Sequence, residues 1–215
     1  MPSTIPQIPS APPPAAWSAM LAGEPPFDGV DTLLFTHGHP DHFSPERLMQ
    51  YLRYRTVRQV VLPVMEPQHW EILQPFLEER RIQWLTARMQ TADFQIPGGT
   101  VIRPYFTRHI DKAFWNMPHG CYLISFGEKH VLLTADVDYT IETFEQISCV
   151  HINAAFVNPL FFNALRTGTF LRAHCSQIFS ASIISLFRRM TGGKFARCYR
   201  TICTGGIKSK GRLPS

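Results

Sequence analysis

Thr36 to His42 reads T-H-G-H-P-D-H, which sets three histidines and one aspartate within six residues. Imidazole nitrogen and carboxylate oxygen are the donors that a borderline divalent ion such as zinc takes. His37 and His39 are two apart, so in an extended segment both project to one side. Asp41 and His42 are adjacent and can point to a second position. One short segment can therefore feed two neighbouring metal sites, with Gly38 permitting a tight backbone and Pro40 stiffening it. A lone histidine is usually a core or surface residue. Here an apolar strand precedes the cluster and a helix cap follows it, and that context favours the metal reading.

The flanking pattern is that of an alternating α/β layer. Val30 to Thr36 is apolar and strand-like, and Ser44-Pro45 supplies an N-cap and a first-turn proline for a helix to about Arg55. Arg58 to Pro63 reads as a second strand, and Glu66 to Arg81 as a helix with Trp70, Leu73, Phe76 and Leu77 on one face. The middle of the chain changes to short strands: Gln83 to Leu85, Asp93 to Ile96, Thr100 to Thr107, Gly120 to Phe126 and His130 to Thr134, with a hairpin turn at Gly98-Gly99. Ile141 to Ile147 reads as a short helix, Ala154 to Val157 as a buried strand and Gln177 to Ser180 as one more. No internal repeat is evident.

A chain of 215 residues is one domain with tails and long enough to bury a core. Residues 1–27 form a Pro-rich arm with one short helix around Trp17 to Leu21, residues 28–182 the domain, and residues 183–215 a basic tail. No apolar run reaches the ~18 residues of a membrane span. The start has no basic stretch followed by an apolar one, so it does not read as a signal peptide. Cys121, Cys149, Cys175, Cys198 and Cys203 form no C-x-x-C pair, which suits a reducing compartment, and the expected location is the cytoplasm. The net charge of +5 is unevenly spread. Residues 1–145 carry 11 basic side chains against all 16 acidic ones, and residues 146–215 carry ten basic and none acidic.

The H-x-H-x-D-H pattern after an apolar strand resembles the metallo-β-lactamase fold of metal-dependent hydrolases. The resemblance runs from about Phe27 to about Phe179 and includes Thr134-Ala135-Asp136, similar to that family's strand-end T-G-D. It implies a four-layer αβ/βα sandwich, an α/β (α+β) class, with metals at the strand ends. By the same resemblance His37 and His39 bind a first metal, Asp41 and His42 a second, and Asp136 bridges both. The third ligand of the first metal is expected at a strand end between the motifs. His109 is preferred there, with His119 as the competitor, and Asp138 could hold a ligand imidazole. The cofactor implied is one or two zinc ions, with manganese or iron as alternatives.

Two cations about 3.5–4 Å apart lower the pKa of a shared water toward neutrality and give a hydroxide. The bonds within its reach are an ester, amide, lactone, thioester or phosphodiester, with Asp41 and Asp136 as the catalytic carboxylates and a small molecule as substrate. No G-x-S-x-G is present, and no serine or cysteine nucleophile is required. His69, His130 and His151 have no partner motif, and His174 lies close to where the resembled family's last ligand comes but precedes the final strand. Cys121, Cys175, Phe156, Phe161 and Phe162 read as core or pocket lining, and Asn158-Pro159, after a strand, as packing with a site-facing position as the alternative.

The chain departs from the family at both ends. Only about 29 residues precede the first strand, so part of the N-terminal sheet is expected to be missing, and no histidine follows residue 175. Ile183 to Lys194 admits a codon choice that, read one base earlier, encodes H-H-L-P-F-P-E-D-D-W-G-K, similar to the family's last ligand segment. An out-of-frame run after about Ser180 would explain both the lost histidine and the excess of arginine, and it would leave residues from about Ser185 without a selected partner. Two other functions compete with the hydrolase. One is a catalytically dead metal-binding scaffold. The other is a nucleic-acid binder or nuclease using Arg188, Arg189, Lys194, Arg197, Arg200, Lys208, Lys210 and Arg212, for which Phe195 and Tyr199 are few stacking aromatics. Nucleic acid and membrane are therefore not the expected partners.

Overall fold

The computed structural model of the chain describes residues 14–86, 93–96, 98–138, 150–158, 173–176, 178–180 and 185–188. Its first element is helix α1 (Pro14–Ala22), three residues longer at its N-terminal end and one longer at its C-terminal end than the helix expected around Trp17 to Leu21. Gly23 ends it with φ 68°. Its amide donates to the Met20 carbonyl and the Glu24 amide to the Ala19 carbonyl, the two bonds of a Schellman cap. A Cβ on Gly23 would meet the tip of the flexible Arg55 side chain, which can swing aside, so the positive φ is what favours glycine there.

Strand β1 (Val30–Leu34), helix α2 (Pro45–Tyr54), strand β2 (Gln59–Leu62), helix α3 (Pro67–Glu79) and strand β3 (Gln83–Thr86) follow in alternation. β1, β2 and β3 are parallel, with Leu33 opposite Val60 and Val60 opposite Trp84. The helices are the crossovers that parallel pairing demands. Val60, Val61 and Leu62 are fully buried, as a strand covered on both faces should be. The Ser44 Oγ accepts the Arg47 amide at 3.2 Å and Pro45 opens α2, so the cap acts as its sequence predicts. α3 buries Leu73 and Leu77, while the Trp70 ring meets Trp84 at 5.9 Å.

The second compact unit is antiparallel at first: β4 (Phe94–Ile96), β5 (Thr100–Thr107), β6 (His119–Phe126) and β7 (Lys129–Ala135). Gly98 and Gly99 turn the first hairpin with φ 93° and 81°, and Gly127 turns the third with φ 61°. β8 (Ala154–Val157) and β9 (Ile178–Ser180) then add in parallel, which gives the order β4-β5-β6-β7-β8-β9. Tyr105, Cys121, Leu123, Leu132, Val137, Ile152, Ala155 and Val157 make the core of this unit. A 3-10 turn at Lys112–Phe114, capped by the Asp111 carboxylate, was not expected from the sequence.

Within the stretch read as a basic tail, Ser185–Arg188 forms β10, which pairs antiparallel with β1 and sets Leu186 opposite Leu33. The expectation for this run was poor order or packing without a family counterpart, and these four residues pack on β1. The expected helix Ile141 to Ile147, Phe161, Phe162 and the remaining basic residues from Arg189 onward lie outside the described residues. Among the described residues no helix is long and apolar enough to cross a membrane.

Candidate metal centre

In the first unit, β1 ends at Leu34 and the chain turns through Thr36 to Phe43 into α2. The Phe35 amide donates to the Val61 carbonyl, which carries β1's alignment one residue further. The His42 and Phe43 amides both donate to the His39 carbonyl, at 2.9 and 2.8 Å, and this folds the segment back on itself. As a result His37 Nε2 stands 3.2 Å from His39 Nδ1. The His37 and His42 rings lie 4.1 Å apart, and His42 Nε2 is 3.7 Å from Asp41 Oδ2. His37 is fully buried and His42 nearly so, while Asp41 is 40% exposed and accessible to a substrate. The φ of Gly38 is outside the left-handed region, and an added Cβ would meet the Val64 carbonyl at 3.4 Å.

The spacing of these donors fits a metal ion. Two ligands of a tetrahedral zinc with Zn–N bonds of ~2.0–2.1 Å are ~3.4 Å apart. His37 Nε2 and His39 Nδ1 at 3.2 Å stand at that separation. The Thr36 hydroxyl lies 3.1 Å from His37 Nδ1, the outer contact that fixes a ligating imidazole's orientation.

In the second unit, the strand ends gather another set. His109 follows β5 and bridges to Val137, and the Ile110 amide donates to the Asp136 carbonyl at 2.7 Å. The backbone thereby holds His109 Nε2 at 3.7 Å from Asp136 Oδ2. The Asp111 amide donates to His109 Nδ1 at 2.9 Å, so the neutral ring in this geometry carries its proton on Nε2. His119 is fully buried at the start of β6, with Nδ1 at 2.8 Å from the Thr107 hydroxyl and its ring 6.1 Å from His109. A hydroxyl can accept from Nδ1 and leave the Nε2 lone pair available.

Asn158, which the sequence placed either in packing or facing the site, and Thr107, which it left unmarked, act on these donors. The Asn158 side-chain amide donates to Asp136 Oδ1 at 2.7 Å, fixing the carboxylate's rotation. Thr107 orients His119. Neither has a motif; only strand-end position could have pointed to them. Asp138 donates its amide to the Arg108 carbonyl.

Ala135 stands where the resembled motif has glycine, and its φ is 46°. The β7–β8 register shifts between Leu133 and Ala135, a bulge that turns Asp136 out of the strand alternation. A left-handed alanine costs ~1–2 kcal/mol, against ~0.5–1 kcal/mol for glycine's greater unfolded freedom. Ala135→Gly is therefore expected to stabilise the protein by about 0.5–1 kcal/mol, read as a raised urea midpoint at unchanged m-value. A lowered midpoint would mean that the left-handed backbone is not strained.

The other candidates have local partners. His130 Nδ1 lies 2.8 Å from the Ser125 hydroxyl, and burial, then the neighbouring His151 and Arg103, lower its pKa. His151 Nε2 lies 2.8 Å from the Ser176 hydroxyl. His69 is half-buried on α3, and the His174 carbonyl accepts the Ile152 amide. Burial pushes the Cys175 thiol up to about 12 and raises Cys121 as well, so neither offers a thiolate nucleophile at neutral pH.

No family model matches the sequence, and no curated protein matches it. Solved structures do resemble it. An isothiocyanate hydrolase from Delia radicum gut bacteria is 14% identical with a TM-score of 0.52, over 94% of this chain and 78% of that one. A mutant of the CmlA β-hydroxylase is 18% identical with a TM-score of 0.50, over 73% of this chain and 37% of that one. YhfI from Bacillus subtilis, a metallo-β-lactamase fold protein, is 17% identical with a TM-score of 0.43, over 60% of this chain and 49% of that one. The chain thus spans little more than a third of the length of the CmlA β-hydroxylase it matches. Its fold resembles that of the isothiocyanate hydrolase and the CmlA β-hydroxylase mutant, an α+β arrangement with a mixed sheet in each unit.

Proposed function

We propose that the chain is a metal-dependent hydrolase acting on an ester, lactone, amide, thioester or phosphodiester of a small molecule. The observation that carries this reading is the His37–His39 nitrogen pair at ligand spacing, on a loop that also presents Asp41 and His42. The sequence resemblance assigns His37, His39, Asp41, His42, His109 and Asp136 to one centre. Zinc suits these nitrogen and oxygen donors best, and manganese or iron remains compatible with them. A bound ion would supply an acidified water and positive charge for the oxyanion that develops in acyl or phosphoryl transfer. The half-exposed Asp41 carboxylate is placed to accept a proton, and Asn158 keeps Asp136 oriented throughout. The resembling hydrolase and β-hydroxylase carry out different reactions, so the reaction class here is argued from the donors and not from the fold.

The test is a panel of chromogenic acetate, butyrate, lactone, thioester and bis-phosphodiester substrates, run with zinc-, manganese- and iron-loaded protein. Turnover of at least one class, abolished by a chelator and restored by the ion, is the expected result. No class turned over by any loaded form would overturn the reading.

A further inference from the structure

The loop between β5 and β6, residues 108–118, leaves the sheet at the same end as His109, and the pairing of Thr107 with His119 closes its base. Its path is fixed by its own hydrogen bonds. The Asp111 carboxylate accepts the Ala113 amide at 2.9 Å, and the Phe114, Trp115 and Met117 amides donate to the Asp111, Lys112 and Phe114 carbonyls. This turn sets two large aromatic side chains in succession at the surface, Phe114 40% and Trp115 38% exposed. The Phe114 ring meets the His109 ring edge to face at 5.4 Å. The next ring, Trp115, carries two cations, with the Arg108 guanidinium at 4.9 Å and Lys112 Nζ at 5.6 Å from its centroid. Among the described residues neither cation forms an ion pair, and the carboxylate nearest to both in sequence, Asp111, caps the turn instead.

We propose that Arg108 and Lys112, held on Trp115, form a clip for an oxyanion, a carboxylate or a phosphate, that the substrate carries away from the bond to be cut. The proposal rests on the hydrolase reading for its catalytic meaning, but the anion binding itself does not. The sign of the ligand follows from two unpaired cations gathered on one ring. Its shape follows from the guanidinium: over an indole it is held by its face, and its N–H donors point outward in its plane, where they match the paired oxygens of a carboxylate or phosphate. Ordering two long side chains is a main cost of such a contact, and the indole offsets part of it before the anion arrives. The position follows from the chain itself. Arg108 directly precedes His109, with Cα atoms ~3.8 Å apart, and Phe114 sets the turn against the His109 ring. An anion on the clip thus leaves the rest of a small molecule beside His109 and Asp136. Trp115 is a positioning residue here, and the two cations are the contacts.

The experiment uses metal-free full-length protein labelled with nitrogen-15 and reads the Lys112 amide and the Trp115 indole N–H, the latter assigned through Trp115→Phe. Butyrate, inorganic phosphate and neutral butyramide are titrated as probes. Butyrate or phosphate should shift both signals saturably, the tighter of the two naming the oxyanion, and butyramide should not saturate. Arg108→Gln and Lys112→Gln should each weaken the anion about tenfold, the order of a lost hydrogen bond between charged groups. Trp115→Leu, which keeps both cations, should weaken it several-fold at an unchanged circular dichroism spectrum, read at the Lys112 amide. Lys129→Gln, which removes an exposed cation at the opposite end of β6, should leave it unchanged. In the loaded protein, monoesters of glutarate, adipate and suberate are compared with chain-matched uncharged esters. At least one charged monoester should be preferred, and Arg108→Gln should remove that preference through KM with kcat held. Anion shifts that never saturate, or that Arg108→Gln leaves as tight as Lys129→Gln does, would overturn the clip. Hydrolysis indifferent to the terminal charge in all three pairs would overturn its part in substrate choice. Saturable anion binding with no hydrolysis by any loaded form would uphold the clip and sink only the hydrolase reading.

Discussion

His37→Ala is expected to lose nearly all tightly held metal and more than about 100-fold of any hydrolase activity. Loss of a partner that merely orients a ligand costs ~10–100-fold in affinity or activity, and a ligand should cost more. His37 is the residue on which the loop's geometry converges: its Nε2 faces His39 Nδ1 at 3.2 Å and its ring lies 4.1 Å from His42. Its removal would empty a fully buried position, so folding needs a control. His37→Gln, which keeps bulk and a polar end, should retain the circular dichroism spectrum and still lose the metal. His69→Ala, a half-buried histidine on α3, should retain both. Full metal content in both His37 variants would remove His37 from the ligand set.

His109→Ala is expected to lose more metal than His119→Ala, while His119→Ala should lose more stability. His109 is held by its neighbours beside Asp136, with Nε2 3.7 Å from Oδ2. His119 is fully buried at a strand start and tied to Thr107, so truncation leaves a cavity and a stranded hydroxyl. A cost of about 2–3 kcal/mol at His119 is the order that such losses carry. His109 also offers its own reporter. Its Nδ1 accepts the Asp111 amide, which puts the ring proton on Nε2. Ligation through Nε2 must displace that proton and change the amide contact, so the Asp111 amide resonance should shift when metal is added. A larger metal loss at His119, with a silent Asp111 amide, would reverse the assignment.

Much of the fold was legible because its local signals are consistent with one another. Ser44-Pro45 caps α2 where a serine–proline pair should, and the apolar runs at Val30 and Gln59 became buried parallel strands. Gly98-Gly99 gave the hairpin that joins β4 to β5. What was not legible arises from contacts distant in sequence. Asn158 orients Asp136 across 22 positions, and only its place after a strand pointed to the site. Ser185–Arg188 has too few residues to display a strand period, and only its pairing with β1 defines it. The short helix around Trp17 was legible, but the packing of its tryptophan against Tyr51 of α2 was not. The left-handed backbone at Ala135 carries no sign in the sequence, since alanine rarely adopts that conformation.

The measurement that bears most directly on the metal account is the ion content of the unmodified chain. The full-length protein is stripped with a chelator, loaded with zinc, dialysed extensively and analysed by inductively coupled plasma mass spectrometry. X-ray absorption at the zinc edge then identifies the donors. The donors on the Thr36 to His42 loop predict about one tightly held ion per chain, in a nitrogen- and oxygen-donor shell with bonds of ~2.0–2.1 Å. Zinc retained no better than by a chain in which His37 and His39 are both alanine, or a shell built from cysteine sulfur, would contradict it.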